Sequence, residues 1–261
     1  MWWWYPLLGA VAGMIAGLFG IGGGLVIVPV LAAAFVLQGV APEVLMHLAI
    51  GTSLATIVVT SLSSARAHHE RGAVRLDWLK RLLPGLVVGT GLGVVLASEL
   101  SGETLKLAFG VFVLLVAAKL GLDLKVGQMA QAPGRVGQFV GGSTVGVISS
   151  LFGIGGGTVM VPMLSSWQAR MTEAVGTAAA AGFPIALTAA LTNIVVGWHA
   201  PNLPEHAIGY VHWVAWLGIV LASVPFARLG ARLAHALPAL LLKRLFALLL
   251  GVIGVRFLIS G

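Results

Sequence analysis

The sequence predicts an all-α polytopic membrane protein made of two inverted-topology repeats. Each repeat is a Gly/Pro-broken element, either re-entrant or a short double pass, followed by three transmembrane helices. Three observations carry this expectation: an apolar composition, a glycine-rich motif that occurs twice, and a bias of basic residues that reverses between the halves.

Of the 261 residues, 59% are apolar and only 9% charged, and the mean hydropathy is +1.03. Soluble domains carry about 25% charged residues. The longest polar interval, 123–138, reads as a linker, so residues 1–122 form a first repeat, 123–137 a cytoplasmic linker and 138–261 a second repeat. The absence of cysteine excludes disulfides, thiolate metal sites and thiol chemistry. A net charge of +7 is first a topology signal in such a chain, and no nucleic-acid partner is expected. Met1-Trp-Trp-Trp-Tyr5 lacks the basic residues that open a signal peptide and reads as an interfacial aromatic anchor.

Crossing about 30 Å of hydrocarbon takes roughly 20 apolar residues as helix. Six stretches meet that length: 43–65, 78–98, 104–122, 172–198, 208–227 and 239–260. Two others, 6–37 and 138–166, are interrupted near their centres, and arms such as 6–19 and 25–37 are short for a crossing. The interruption is the same in both. Leu18-Phe-Gly-Ile-Gly-Gly-Gly-Leu-Val-Ile-Val-Pro-Val-Leu31 returns 133 residues later as Leu151-Phe-Gly-Ile-Gly-Gly-Gly-Thr-Val-Met-Val-Pro-Met-Leu164, identical at 11 of 14 positions. Further on, Gly51-Thr52 answers Gly176-Thr177, Gly72-Ala-Val answers Gly209-Tyr-Val, and Lys106, Phe109 and Lys119 answer Lys243, Phe246 and Arg256.

Basic residues then give the orientation. The loop 66–81 holds Arg66, Arg71, Arg75, Lys80 and Arg81, while its counterpart 199–212 holds no Lys or Arg. The loop 98–106 holds one, Lys106, while its counterpart 228–244 holds Arg228, Arg232, Lys243 and Arg244. Under the positive-inside rule this reversal means that the halves are inserted upside down relative to each other. Each half then crosses an odd number of times, so the broken element returns to its starting side and both termini face outward. With that arrangement all but Lys106 and Arg256 of the 15 Lys and Arg lie inside.

A glycine costs a helix about 1 kcal/mol relative to alanine, and unpaired backbone in lipid survives only against protein or a wet cavity. The β-branched Val26-Ile27-Val28 precedes Pro29, and Val159-Met160-Val161 precedes Pro162. Residues before proline are pushed toward extended geometry, so each half is expected to offer extended, glycine-lined backbone up to a proline that opens the next helical arm. Free N–H groups and the positive end of a helix dipole favour an anion there. The substrate-lining candidates are therefore Phe19, Gly20, Gly22, Gly23 and Gly24 in the first copy, and Phe152, Gly153, Gly155, Gly156 and Gly157 in the second. Uncharged donors at matching depth add Thr52, Ser53, Ser150, Thr177 and Asn193. The competing role for the glycines is close helix packing, and for the hydroxyls bonding to the i−4 carbonyl of their own helix.

His47 is an ionisable group within an apolar stretch, expected near the outer interface, while Lys106, Lys119, Lys243 and Arg256 snorkel from helix ends. No His/Asp/Glu spacing suggests a metal, no cofactor is implied, and the glycines lack the βαβ or Gly-Lys-Ser/Thr context of nucleotide loops. An intramembrane protease would need a nucleophile–base pair, and Ser149 or Ser150 with His47 has nothing to orient the base. A haem-bearing subunit would need two facing histidines in apolar helices. A passive anion channel is the nearer alternative to a carrier.

The paired Phe-Gly-Ile-Gly-Gly-Gly-x-x-x-Val-Pro motifs, the Gly51-Thr-Ser sequence and the Gly72-Ala-Val-Arg-Leu-Asp-Trp loop resemble the sulfite exporter TauE/SafE family of membrane permeases over nearly the whole chain. Ala178 stands where Ser53 stands in the first half. The resemblance implies a secondary transporter in a bacterial cytoplasmic (inner) membrane, moving sulfite, sulfoacetate or a related organosulfonate by alternating access. The partners this implies are a small anionic substrate, a coupling proton or sodium ion, the lipid bilayer and, as for many small carriers, a second copy in a homodimer.

Overall fold

In the computed structural model, which describes residues 4–19, 23–123, 127–129, 132–235 and 238–259, ten helices follow one another almost without interruption. The first half comprises α1 (Trp4–Phe19), α2 (Gly24–Leu37), α3 (Pro42–Glu70), α4 (Leu76–Glu99) and α5 (Gly102–Gly121). The second comprises α6 (Arg135–Leu151), α7 (Gly157–Ser166), α8 (Met171–Val196), α9 (Trp213–His235) and α10 (Ala239–Ile259). A two-residue hairpin, β1 (Ala207–Ile208) antiparallel to β2 (Val211–His212), leads into α9, within the stretch 208–227 that hydropathy reads as helix throughout. Among the described residues four helices, α3, α4, α5 and α8, are long and apolar enough to cross a membrane.

Each broken element doubles back. Tyr5 at the start of α1 donates a 2.7 Å hydrogen bond to Gln38, just past the end of α2. Gly141 of α6 lies against Met163 and Trp167 at the end of α7, and the Met129 N–H, ahead of α6, reaches the Ser166 carbonyl at 2.8 Å. One expectation fails here. Val26–Val28 and Val159–Val161 are helical, and Pro29 and Pro162 sit inside α2 and α7 instead of opening them. Both helices start five residues earlier, at Gly24 and Gly157, because a proline so close to a helix start removes a single i−4 bond and leaves the rest of the ladder intact. In the second copy the break is confined to 152–156, where Gly153 (φ +66°) and Gly156 (φ +78°) take left-handed conformations that side chains disfavour.

The halves interlock by exchanging equivalent contacts. α1 packs on α9 as α6 packs on α4, while α3 meets its counterpart α8 and α5 meets α10. Along the α3–α8 seam, Gly51 lies against Tyr210, which itself abuts Gly197 just beyond α8; Ser61 lies near Gly182, and Ala73 near Gly176. The residue numbers rise on one helix as they fall on the other, so α3 and α8 run antiparallel. α5 and α10 do the same, from Gly110 beside Phe257 to the ion pair of Asp123 with Lys243. The ends of the bundle differ in charge. Arg66, Arg71, Arg75, Lys80, Arg81, Arg135, Arg170, Lys243 and Arg244 gather at the end where the α3–α4 turn meets the start of α8. Leucines and valines such as Leu92, Leu96, Leu107, Val111, Leu115, Leu248 and Val252 are exposed on the outer helices, forming an apolar belt that is expected of a multi-pass membrane protein.

Small residues set the closest approach. Gly85, Gly89 and Gly93, four residues apart, line α4 against Phe139, Ser143, Val147 and Ser150 of α6. A Cβ at Gly89 would stand 2.5 Å from the Ser143 Cα, whereas one at Gly91 on the same helix would meet nothing within 4 Å. Gly89→Ala is therefore expected to lower the thermal unfolding temperature of detergent-purified protein, by an overpacking cost of about 1–3 kcal/mol. Gly91→Ala is expected to leave it unchanged or raise it.

Candidate functional site

The loop Gly153–Gly156 is held from four sides at the level of the middle of α3. Ile50, Ser53, Ile57 and Ser61 form one stripe of α3 facing it, since residues three and four apart share a helix face. Ser53 donates a 2.9 Å hydrogen bond to the Gly153 carbonyl. Gly182 and Ile185 of α8 approach Gly155 and Gly156, Val145 and Ser149 of α6 lie beside Gly156, and Val28 of α2 abuts Gly153. Gly24, at the start of α2, lies directly against Gly153 and Ile154. The tips of the two hairpins thus touch each other.

Gly155, Gly157 and Thr158 remain half-exposed, and a Cβ at Gly157 would meet nothing within 4 Å. Among the described residues no acceptor lies within hydrogen-bond reach of the backbone N–H groups of Gly155, Gly156, Gly157 or Thr158. The first turn of a helix always leaves such donors, and Gly156, which precedes α7, has no side chain to cap them.

The other candidates divide by what their polar atoms do. Thr52 accepts a 2.9 Å hydrogen bond from the His212 N–H, and its counterpart Thr177 accepts a 2.9 Å bond from the Arg75 N–H. Both are fully buried, and each ties a mid-bundle helix of one half to the chain entering the fourth helix of the other. The Gly72 and Gly209 turns that precede those segments both have positive φ. Replacing Thr177 by valine keeps the shape and strands the Arg75 N–H, so Thr177→Val is expected to destabilise the protein by about 1–3 kcal/mol in thermal unfolding, with the half-saturation concentration for substrate unchanged. Asn193 donates to the Ala189 carbonyl, its own carbonyl accepts from the Tyr210 N–H, and it is buried away from the loop contacts. Ser150 donates to the Gly146 and Val147 carbonyls of its own helix. Phe152 turns outward and stacks on Phe112 of α5, ring centroids 4.2 Å apart, anchoring the tip. The Phe19 side chain, Gly20 and Gly22 lie outside the described residues, and Gly23 caps α2. His47 is buried near the other end of α3, with Nε2 3.1 Å from the Ala97 carbonyl and its ring stacked on Tyr210.

A hydroxyl outside the substrate-lining set faces the loop. Ser149 is fully buried and has no hydrogen-bond partner among the described residues. It stands 3.6 Å from the Cβ position of Gly156. The Ser149-Ser150 pair was visible, but only the rotation of α6 decides which hydroxyl is used up by the helix and which faces the loop. Farther along the α3–α8 seam, a groove of about 550 Å³ at the basic end is lined by His68, Arg71, Gly72, Ala73, Arg170 and Glu173, among others. His68 and Val175 there lie seven residues beyond Ser61 and Gly182, or about 10 Å at 1.5 Å per residue.

A family model described as sulfite exporter TauE/SafE matches residues 5–257. The chain belongs to the sulfite exporter TauE/SafE family. Among its TauE/SafE-like relatives is a probable membrane transporter protein of Haemophilus influenzae, 36% identical over 255 residues and covering 97% of both chains. A probable membrane transporter protein of Methanocaldococcus jannaschii is 26% identical, over 97% of this chain and 94% of its own. Another from Bacillus subtilis is 26% identical, over 98% and 96%. No solved structure matches the chain. Family and relatives alike support a membrane permease.

Proposed function

We propose that this permease is a secondary carrier for a small sulfur-containing anion, such as sulfite, sulfoacetate or a related organosulfonate, working by alternating access in a bacterial cytoplasmic membrane. The observation that carries the reading is the meeting of two hairpin tips between α3 and α8, where first-turn N–H groups of α7 have no acceptor among the described residues and the Cβ position of Gly157 is open. In transporters built from inverted repeats, substrate sits at such broken helices near the midplane. The antiparallel course of α3 against α8 and of α5 against α10 supports inversion of the halves, each a re-entrant hairpin plus three spanning helices. The basic end then faces the cytoplasm and the termini face outward. Arg71 in the groove at that end favours anions, while Arg170 beside it is paired with Glu173. A proton or sodium ion supplies the coupling.

The test is uptake of radiolabelled sulfite and organosulfonates into proteoliposomes. Saturable, mutually competitive uptake supports a carrier. No uptake above empty vesicles for any sulfur anion would overturn the substrate class, and single-channel currents would replace the carrier by an anion channel. Labelling that put cysteines introduced at Arg75 and Lys243 on opposite faces would overturn the inversion.

A further inference from the structure

The starts of α2 and α7 are not equivalent in space. Gly24 and Gly157 occupy the same position of the repeat, each the first residue of its helix. A Cβ at Gly24 would run into the Gly153 carbonyl and stand 2.7 Å from the Ile154 Cα, while one at Gly157 would meet nothing. The first turn of α2 is buried throughout, from Gly24 to Val28, whereas Gly157, Thr158 and Val159 are half-exposed. Sequence follows the same division: Ser149, Ser150 and Thr158 stand where the first copy has Ala16, Gly17 and Leu25.

We propose that the oxyanion head of the substrate is held by the second half alone, between the Ser149 hydroxyl and the first-turn N–H groups of α7, with the apolar tip of α2 serving as a wall. This rests on the carrier reading above and names its anion site. The α7 N-terminus supplies donors and half a positive charge. Ser149 supplies an independent sign of a ligand: a fully buried hydroxyl, aimed at the Gly156 cap, with no partner among the described residues. Leaving such a group unpaired is costly, and an anion oxygen that accepts its proton removes that cost.

Three substitutions test the assignment, read by uptake into proteoliposomes and by the stabilisation that millimolar sulfite, sulfate or sulfoacetate confers on full-length protein in detergent. Ser149→Ala removes a donor to a charged group and is expected to raise the half-saturation concentration about tenfold. Gly157→Ala adds a methyl group that no protein atom meets, so it leaves the unliganded melting temperature alone and raises the half-saturation concentration at least as much. Ser150→Ala, whose hydroxyl is used by its own helix, changes neither. Uptake and stabilisation at parental levels in both Ser149→Ala and Gly157→Ala would overturn the site while the carrier survives. Stabilisation by an oxyanion that Ser149→Ala abolishes, in a protein that transports nothing, would support the site and overturn the carrier. Neither uptake nor stabilisation of the parent by any of the three anions would overturn both.

Discussion

Gly155→Leu is expected to reduce transport to the level of empty vesicles while the protein still inserts, folds and elutes as the parent does. Gly155 is half-exposed at the tip of the second hairpin, and its added Cβ would meet only the Ile57 side chain, with Cγ2 at 3.1 Å. A flexible side chain can give way by a few tenths of an ångström, so the fold tolerates the first carbon. The remaining carbons then occupy the open space beside Gly157 that a small anion needs. Uptake of radiolabelled sulfite or sulfoacetate, compared with size-exclusion profile and melting temperature of the same preparation, separates the two effects. Parental transport by Gly155→Leu would mean that the doubled motif serves only to bring helices together.

Gly176→Leu is expected to have the opposite signature, a failure of assembly instead of a blocked site. Its Cβ would stand 2.5 Å from the Ala73 carbonyl and 2.8 Å from the Ala73 carbon behind it. Backbone cannot swing aside as Ile57 can, and the neighbouring Thr177 bond to the Arg75 N–H is lost when the strands part. Overpacking of about 3 kcal/mol or more removes a large share of a typical folding stability of about 5–15 kcal/mol. The measured outcome is aggregated or degraded protein in the detergent extract. Gly51→Leu, against the Tyr210 carbonyl, is expected to behave alike because the two glycines hold equivalent seams.

Much of this was legible in the chain. The second glycine cluster interrupts its helix where expected, the Gly51-Thr52 and Gly176-Thr177 pairs are equivalent in space, and the Gly72 and Gly209 turns match with positive φ. Such features are local: a glycine run weakens helix whatever surrounds it, and equal sequences fold alike. The extended backbone expected before Pro29 and Pro162 does not form: α2 and α7 run through both prolines and forgo the i−4 hydrogen bond that each cannot make. The roles of the polar residues were less legible. Thr52 and Thr177 brace the halves, Phe152 anchors the tip on Phe112, and Ser149, not Ser150, faces the loop.

The sequence by itself determined a membrane-embedded, twofold-repeated helical chain with a break in each half, since composition and repetition are properties of the polymer. Only the tertiary structure decided that the start of α2 is buried against the second loop while the start of α7 stays half-exposed. That difference arises because the Gly24 contact with Gly153 and the rotation of α6 depend on how helices distant in sequence pack, and no local preference encodes it.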